Sequence, residues 1–483
     1  MEDKELFESL ALKRKNVYEE ITDGEKAEML SLCDEYRGFL DNGKTERECV
    51  KEIVKKAEEN GFVPLESKAT LQAGDKIYAV NRLKNVFMAV IGTEDITDGI
   101  NIVGSHIDSP RLDLKQNPLY ESTDMALLKT HYYGGIKKYQ WTALPLAIHG
   151  VIITADGRKT ELSIGEKDSD PVFCITDLLP HLAKDQMSKK MTEGIEAENM
   201  NILIAGMPEK SKDVKEKVKF AVLKLLNEKY GMCEKDFQSA EIEIVPAGRA
   251  RNVGLDESFV GAYGQDDRVC AFTALKGILD IKTPQKTAAA FFADKEEIGS
   301  MGNTGSQSAF MQMVIAEIVE KATGSCSVTA YNKTISRSAC MSSDVNAAVD
   351  PNYEYVSEKN NASYAGYGVA LTKYTGARGK YDSSDANAEF VYQIGKIMDD
   401  NGVIWQTGEL GKVDQGGGGT IAQYVANLNM DVIDCGVPVL SMHAPFEVTA
   451  KGDIYMAYRA YKAFYKEISA TGVSVFCRNS QAV

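Results

Sequence analysis

With 483 residues, 44% of them apolar, the chain can bury a large core and divide into more than one domain. Its formal net charge is −15 and no lysine/arginine stripe is interleaved with aromatics, so its field repels phosphate backbones and anionic lipid, arguing against nucleic-acid and membrane partners. Nine cysteines lie far apart with no Cys-x-x-Cys pair, which indicates neither a disulfide framework nor a thiolate zinc knuckle.

Met1-Glu2-Asp3-Lys4 leads into a charged amphipathic segment, and no apolar run approaches the length of a membrane span, so a cytoplasmic location is expected. Residues 1 to about 60 read as two or three peripheral helices, broken at Asp41-Asn42-Gly43-Lys44, with Thr45 and Glu48 forming a capping box. The runs Ile77–Val80 and Val86–Val90 flank Lys84-Asn85 as a hairpin. Ile100-Asn101-Ile102-Val103 is a buried strand that delivers His106 at its carboxyl end. In His106-Ile107-Asp108 the two polar side chains stand two apart, so on extended backbone they point the same way and Asp108 can orient the ring.

After Asp113 short alternating strands, among them Ala147–Ile153 with His149, are separated by Asp-Gly and Gly-Glu turns, with one long helix over about 211–229. No candidate ligand falls in this stretch, which therefore reads as a domain inserted into the first. From about Gly254 strand and helix alternate, which predicts an α/β architecture, a mixed sheet flanked by helices. Asp266-Asp267 opens a helix over 267–279, Glu296-Glu297 follows the apolar strand Ala288–Ala293, and a mostly helical stretch covers 303–321. Asp344 stands in Ser342-Ser343-Asp344, Lys373 follows the strand 369–371, and His443 follows the apolar run Val437–Leu440. In such sheets ligands gather at the carboxyl ends of strands.

His106, Asp266, Glu297, Asp344 and His443 are residues of metal-ligand type in turn-rich segments. Two imidazoles and three carboxylates suit a pair of zinc-like ions that share one carboxylate. Capping explains one acid of the Asp266-Asp267 pair but not both, and Asp266 is taken as the shared ligand ahead of Asp267. Two divalent ions bring +4, balanced by three carboxylates and a bridging hydroxide. Glu296 is then left over as a base for the attacking water. Mixed N/O ligation accepts zinc, cobalt or manganese. Gly416–Gly419, Gly418 among them, lets backbone approach a substrate carbonyl or carboxylate, and with no following Lys it is not a phosphate loop.

The ordered set Ser105-His106-Ile107-Asp108-Ser109-Pro110, Asp294-Lys295-Glu296-Glu297-Ile298-Gly299-Ser300, Ser343-Asp344 and Met442-His443 resembles the dinuclear metal aminopeptidases of the aspartyl aminopeptidase and vacuolar aminopeptidase I type. The resemblance implies one ion on His106, Asp266 and Asp344, a second on Asp266, Glu297 and His443, Glu296 as general base and Asp108 orienting His106. It also implies a catalytic domain formed by 1–112 and 251–483, a dimerisation domain over 113–250, and a tetrahedral dodecamer built from dimers. His149 would bind substrate, in a neighbouring subunit's site, with burial in its own strand as the rival reading. Lys373 matches a basic residue facing an acidic side chain, and equally reads as a solvated lysine. The expected activity is release of acidic or neutral amino-terminal residues from peptides. A deacylase of N-acyl amino acids and a non-catalytic assembly protein of the same fold are the alternatives.

Overall fold

The computed structural model describes residues 3–468. Its largest sheet has nine strands in the order Val63–Pro64, Lys76–Asn81, Asn85–Val90, Thr287–Ala293, Ile100–His106, Ala339–Ser342, Asp431–Gly436, Val369–Thr372, Trp405–Thr407. The four strands from Thr287–Ala293 to Asp431–Gly436 run parallel, while Asn85–Val90 and Val369–Thr372 pair antiparallel on either side of them. The architecture is the expected mixed α/β.

Successive side chains of a strand face opposite sides of the sheet, and here both sides are covered. Ala288, Ala290 and Phe292 enter one core with the helices Gln265–Leu279 and Lys451–Glu467, while Ala289, Phe291 and Ala293 enter another with the helix Phe310–Thr323. That is why this strand is apolar throughout instead of alternating.

The first helix, Asp3–Leu10, buries no residue and is peripheral as expected, but the helices Asp23–Asn42 and Glu46–Glu59 are part of the core. The helix Asp23–Asn42 buries Met29, Leu32, Cys33, Tyr36, Phe39 and Leu40, a three-and-four spacing that makes one apolar stripe. Tyr36 and Phe39 close on Phe272, with ring centroids 5.3 and 5.6 Å away. The capping box at Thr45 and Glu48 is present. Two helices begin later than expected, at Lys217 and at Phe310.

A second, six-stranded sheet has the order Lys159–Ile164, Leu146–Ile153, Glu241–Pro246, Arg111–Ser122, Met125–Tyr133, Ile202–Ala205, and all its pairings are antiparallel. A third, five-stranded sheet runs Arg251–Val253, Phe259–Ala262, Glu447–Ala450, Pro438–Leu440, Asn346–Ala347. Among the described residues no helix is long and apolar enough to cross a membrane.

Phe272 is fully buried at the junction of the helix Asp23–Asn42 with the main core. Replacing it with Ala removes a ring that the surroundings cannot refill, so Phe272→Ala is expected to lower unfolding free energy by about 3–5 kcal/mol. Urea denaturation followed by circular dichroism reads this; a loss below about 1 kcal/mol would mean that the helix packs only loosely.

Candidate metal centre

The carboxyl ends of the parallel strands and one edge of the third sheet meet at a single cluster. His106 ends its strand, and the ladder continues one residue further through the Ile107 N–H, which donates to the Ala293 carbonyl at 2.9 Å. Its Nε2 lies 3.2 Å from Asp266 Oδ1, 3.9 Å from Asp344 Oδ1 and 4.0 Å from Glu296 Oε2. On the other side, His443 Nε2 lies 3.1 Å from Asp266 Oδ2 and 3.5 Å from Glu297 Oε2. The two oxygens of Asp266 thus face two different imidazoles.

Local backbone explains these placements. Asp266 precedes the regular part of its helix, with ψ of 108°, and its two carboxylate oxygens are turned to the imidazoles. Its N–H donates to Glu447 Oε2 at 3.0 Å and its carbonyl accepts from Ser109 Oγ at 2.6 Å. Asp267 points away from the cleft, and its Oδ2 accepts the His106 N–H at 3.2 Å. After the strand Thr287–Ala293 the chain turns sharply, with Lys295 at φ +66° and Gly299 at φ +90°, which presents Glu296 and Glu297 together. Gly436 permits a further close approach, since a Cβ there would lie 1.6 Å from the Asp344 carbonyl oxygen.

Asp108 holds more than the His106 ring. Its Oδ1 is 3.3 Å from His106 Nδ1 and accepts the Glu296 N–H at 3.1 Å, while Oδ2 accepts the Glu297 N–H at 3.2 Å and the Tyr133 hydroxyl at 2.8 Å. Glu447, to which sequence reasoning gave no role, does the same for the opposite edge. One oxygen takes the Asp266 N–H and the other takes the His443 N–H at 2.7 Å. Its only sequence signal was an acid opening the buried strand Glu447–Ala450.

The electrostatics are those of crowded acids out of water. Burial, reinforced by neighbouring carboxylates, pushes the Glu297 and Asp344 carboxyls well above their ordinary value and Glu296 up to about 7. Burial opposes charge on His106 and His443, yet hydrogen bonds to Asp108 and Asp266 raise the first, and Asp266 raises the second to about 10. Asp266 is held below its ordinary range because the two imidazoles outweigh its burial. Glu297 Oε1 is buried without a hydrogen-bond partner. Nitrogen and oxygen donors with surplus buried negative charge fit divalent cations. Two triads have donor atoms within 4.8 Å of one another, His106–Asp266–Glu297 and His106–Glu296–Asp344, so the ligand-distance grouping includes Glu296 and divides the donors differently from the expected assignment.

The cluster lies in a cleft of about 930 Å³ that is also lined by Tyr374, Tyr424 and Gly416–Gly419. Gly418 is therefore where a substrate-facing backbone is expected. Gly417 is required for another reason: a Cβ there would lie 2.0 Å from the Gly376 carbonyl oxygen in the loop paired with it. Lys373 is not brought in. It is exposed and 3.7 Å from Asp385, while its neighbours Thr372 and Tyr374 line the cleft. His149 is also apart, its Nδ1 being 2.8 Å from Glu48 Oε1 and its Nε2 3.0 Å from Glu166 Oε1, which ties the second sheet to the helix Glu46–Glu59.

Imidazoles and acids gathered at the strand ends of an α/β sheet, in an open cleft, define a metal-dependent hydrolase. The family model of the aminopeptidase I zinc metalloproteases (M18) matches residues 39–465, and the chain belongs to that family. It is 51% identical over 454 residues to a probable M18 family aminopeptidase 1 of Clostridium acetobutylicum, covering 93% of this chain and 97% of the relative. The counterpart in Thermotoga maritima is 48% identical over 95% of this chain and 100% of its own length. The crystal structure of the Thermotoga maritima M18 aminopeptidase superposes with a TM-score of 0.92 at 47% identity, covering 95% of this chain and 100% of that one. The protein is a zinc-dependent aminopeptidase.

Burial disfavours charge on His149, but Glu166 and Glu48 raise it above its ordinary 6.5. A raised imidazole contributes stability that is fully present below its unfolded value and is lost as pH rises through the folded one. The stability gap between wild type and His149→Gln is therefore expected to be widest below about pH 6 and to shrink as pH rises above it. Urea titrations on either side of that pH measure it, and a gap that widens with pH would contradict the ion-pair account.

Proposed function

We propose that the cluster is a dinuclear zinc centre held by His106, Asp266, Glu297, Asp344 and His443, that Asp266 is shared between the ions, and that Glu296 is the general base. The observation that carries the reading is the placement of the two Asp266 oxygens, 3.2 and 3.1 Å from the Nε2 atoms of two histidines, one ending a strand of the nine-stranded sheet and one in a turn of the third sheet. When bound, the ions supply positive charge that polarises the scissile carbonyl and acidifies the attacking water.

This chain's own residues do the rest. Asp108 and Glu447 hold the donors in register before substrate arrives, so no reorganisation is needed at the moment of reaction. Glu296 takes the proton of the attacking water and returns it to the leaving amine. The free amine of the substrate is attracted to Glu296, the acid left over once the ligand carboxylates are balanced by the ions, which favours peptides with an unblocked amino terminus. The glycine loop at Gly418 offers backbone to the peptide. Acidic or neutral amino-terminal residues are the preferred substrates of this reading.

The reading extends to assembly. Residues 113–250 act as an inserted dimerisation and lid domain between catalytic segments 1–112 and 251–483, and the chain forms a homo-oligomer, a tetrahedral dodecamer built from dimers. Support comes from apolar side chains left exposed in this segment, Leu178, Leu179, Leu182, Met187 and Met191. A yeast relative of the same fold, 17% identical with a TM-score of 0.72, has been solved as a dodecamer.

Glu296→Gln keeps the size of the side chain and removes its basicity. It is expected to lower kcat by about 10²–10⁴-fold while bound zinc, measured by atomic absorption, stays at the wild-type level. Acetylating the amino terminus of a peptide is expected to abolish its cleavage by the wild type. Undiminished turnover by the variant, or cleavage of the acetylated peptide, would overturn the assignment.

A further inference from the structure

Three consecutive residues at the end of a strand of the second sheet touch three different parts of the metal centre. Tyr133 ends the strand Met125–Tyr133, and its hydroxyl donates to Asp108 Oδ2 at 2.8 Å. Gly134, at φ +73°, lies against Glu297, where a Cβ would be 3.3 Å from both Cβ and Oε2 of that residue and 3.4 Å from Pro110 Cα. The Gly135 carbonyl is 2.8 Å from His443 Nδ1. A carbonyl only accepts, so Nδ1 donates to it, and Nε2 is the ring nitrogen turned toward Asp266 and Glu297.

The segment is braced from behind. Arg111 is the cross-strand partner of Tyr133, and its guanidinium sits 3.9 Å over the Tyr133 ring. Arg111 in turn meets Asp113 at 2.8 Å, Glu243 at 3.3 Å and Glu46 at 3.4 Å. A ring clamped by a buried, multiply paired arginine has little freedom, so its hydroxyl is fixed in space.

We propose that Tyr133–Gly135 is a positioning segment through which the second sheet sets the geometry of the zinc donors. It acts on the turn bearing Glu296 and Glu297 through Asp108, and on His443 through the Gly135 carbonyl. The proposal rests on the dinuclear reading above. Asp108 is the acceptor for both N–H groups of that turn and for the His106 ring. Without the Tyr133 hydroxyl, Oδ2 retains only the Glu297 N–H, and the carboxylate is held less firmly in the orientation that serves the turn and the His106 ring. Gly134 is the point of contact, where a Cβ would sit tightly against Glu297 in a backbone conformation that favours glycine.

The test uses the full-length zinc enzyme and the variants Tyr133→Phe, Gly134→Ala and, as a control, Tyr132→Phe, whose ring is 43% exposed. Zinc affinity is read by competition with a chromophoric chelator, kcat and KM on an aminoacyl p-nitroanilide, and stability by the thermal midpoint. Tyr133→Phe keeps the ring over Arg111, so its midpoint should stay within a few degrees of wild type. Its zinc affinity should fall by about 10–100-fold, and kcat should fall with KM within about twofold. Gly134→Ala should weaken zinc at least as much, and Tyr132→Phe should change none of these. If Gly134→Ala does not fold, Tyr133→Phe decides alone. Wild-type zinc affinity and kcat in Tyr133→Phe, or a lowered midpoint with zinc affinity intact, would overturn the proposal. Failure of the wild type itself to hold zinc would instead overturn the dinuclear reading.

Discussion

Asp266, Glu297 and Asp344 are carried out of water into one small volume, a placement that costs several kcal/mol per charge unless cations or donors compensate it. Much of the surrounding structure answers that constraint. His106 and His443 each reach an oxygen of Asp266, and the N–H groups of Glu296 and Glu297 are spent on Asp108. The remaining surplus is what makes a metal centre of the site: acids whose carboxyls are driven upward by burial and mutual repulsion release that strain when divalent cations bind.

Two carboxylates that face no substrate do the structural work. Asp108 collects donors from His106, Glu296, Glu297 and Tyr133, and Glu447 collects the backbone of Asp266 and His443. Between them they join the nine-stranded sheet, the five-stranded sheet and the antiparallel sheet at one point. The division of labour is consistent with a hydrolase whose reacting groups must be set before the peptide enters the cleft.

What the sequence revealed follows from what is local in it. His106 and the Glu296-Glu297 pair each follow an apolar strand, so the hydrophobic pattern put them at one edge of a sheet, while Asp344 offered only its Ser342-Ser343-Asp344 context. Asp266 could be preferred over its neighbour only weakly, because the choice depends on backbone angles; in the structure Asp267 turns to the His106 N–H instead. His443 was recognisable as a strand-end histidine, but not that its turn joins two strands of a third sheet. Tyr133, Gly135 and Glu447 left no usable signal. Their roles arise from contacts such as Gly135 with His443, separated by 308 positions. The core-forming amino-terminal helices were misplaced for a related reason, since a stripe of apolar residues on a charged helix shows that one face is buried but not how central the partner is. Lys373 matched a motif by position, yet one residue's alternation turns it away from the cleft.

The central claim is that Asp266 joins two cations. Anomalous diffraction from crystals of the zinc-loaded protein, recorded on both sides of the zinc edge, tests it most directly. The account requires two zinc peaks about 3.5–4 Å apart, one on each side of the Asp266 carboxylate. A single peak, or two peaks with Asp266 outside bonding range of either, would contradict it.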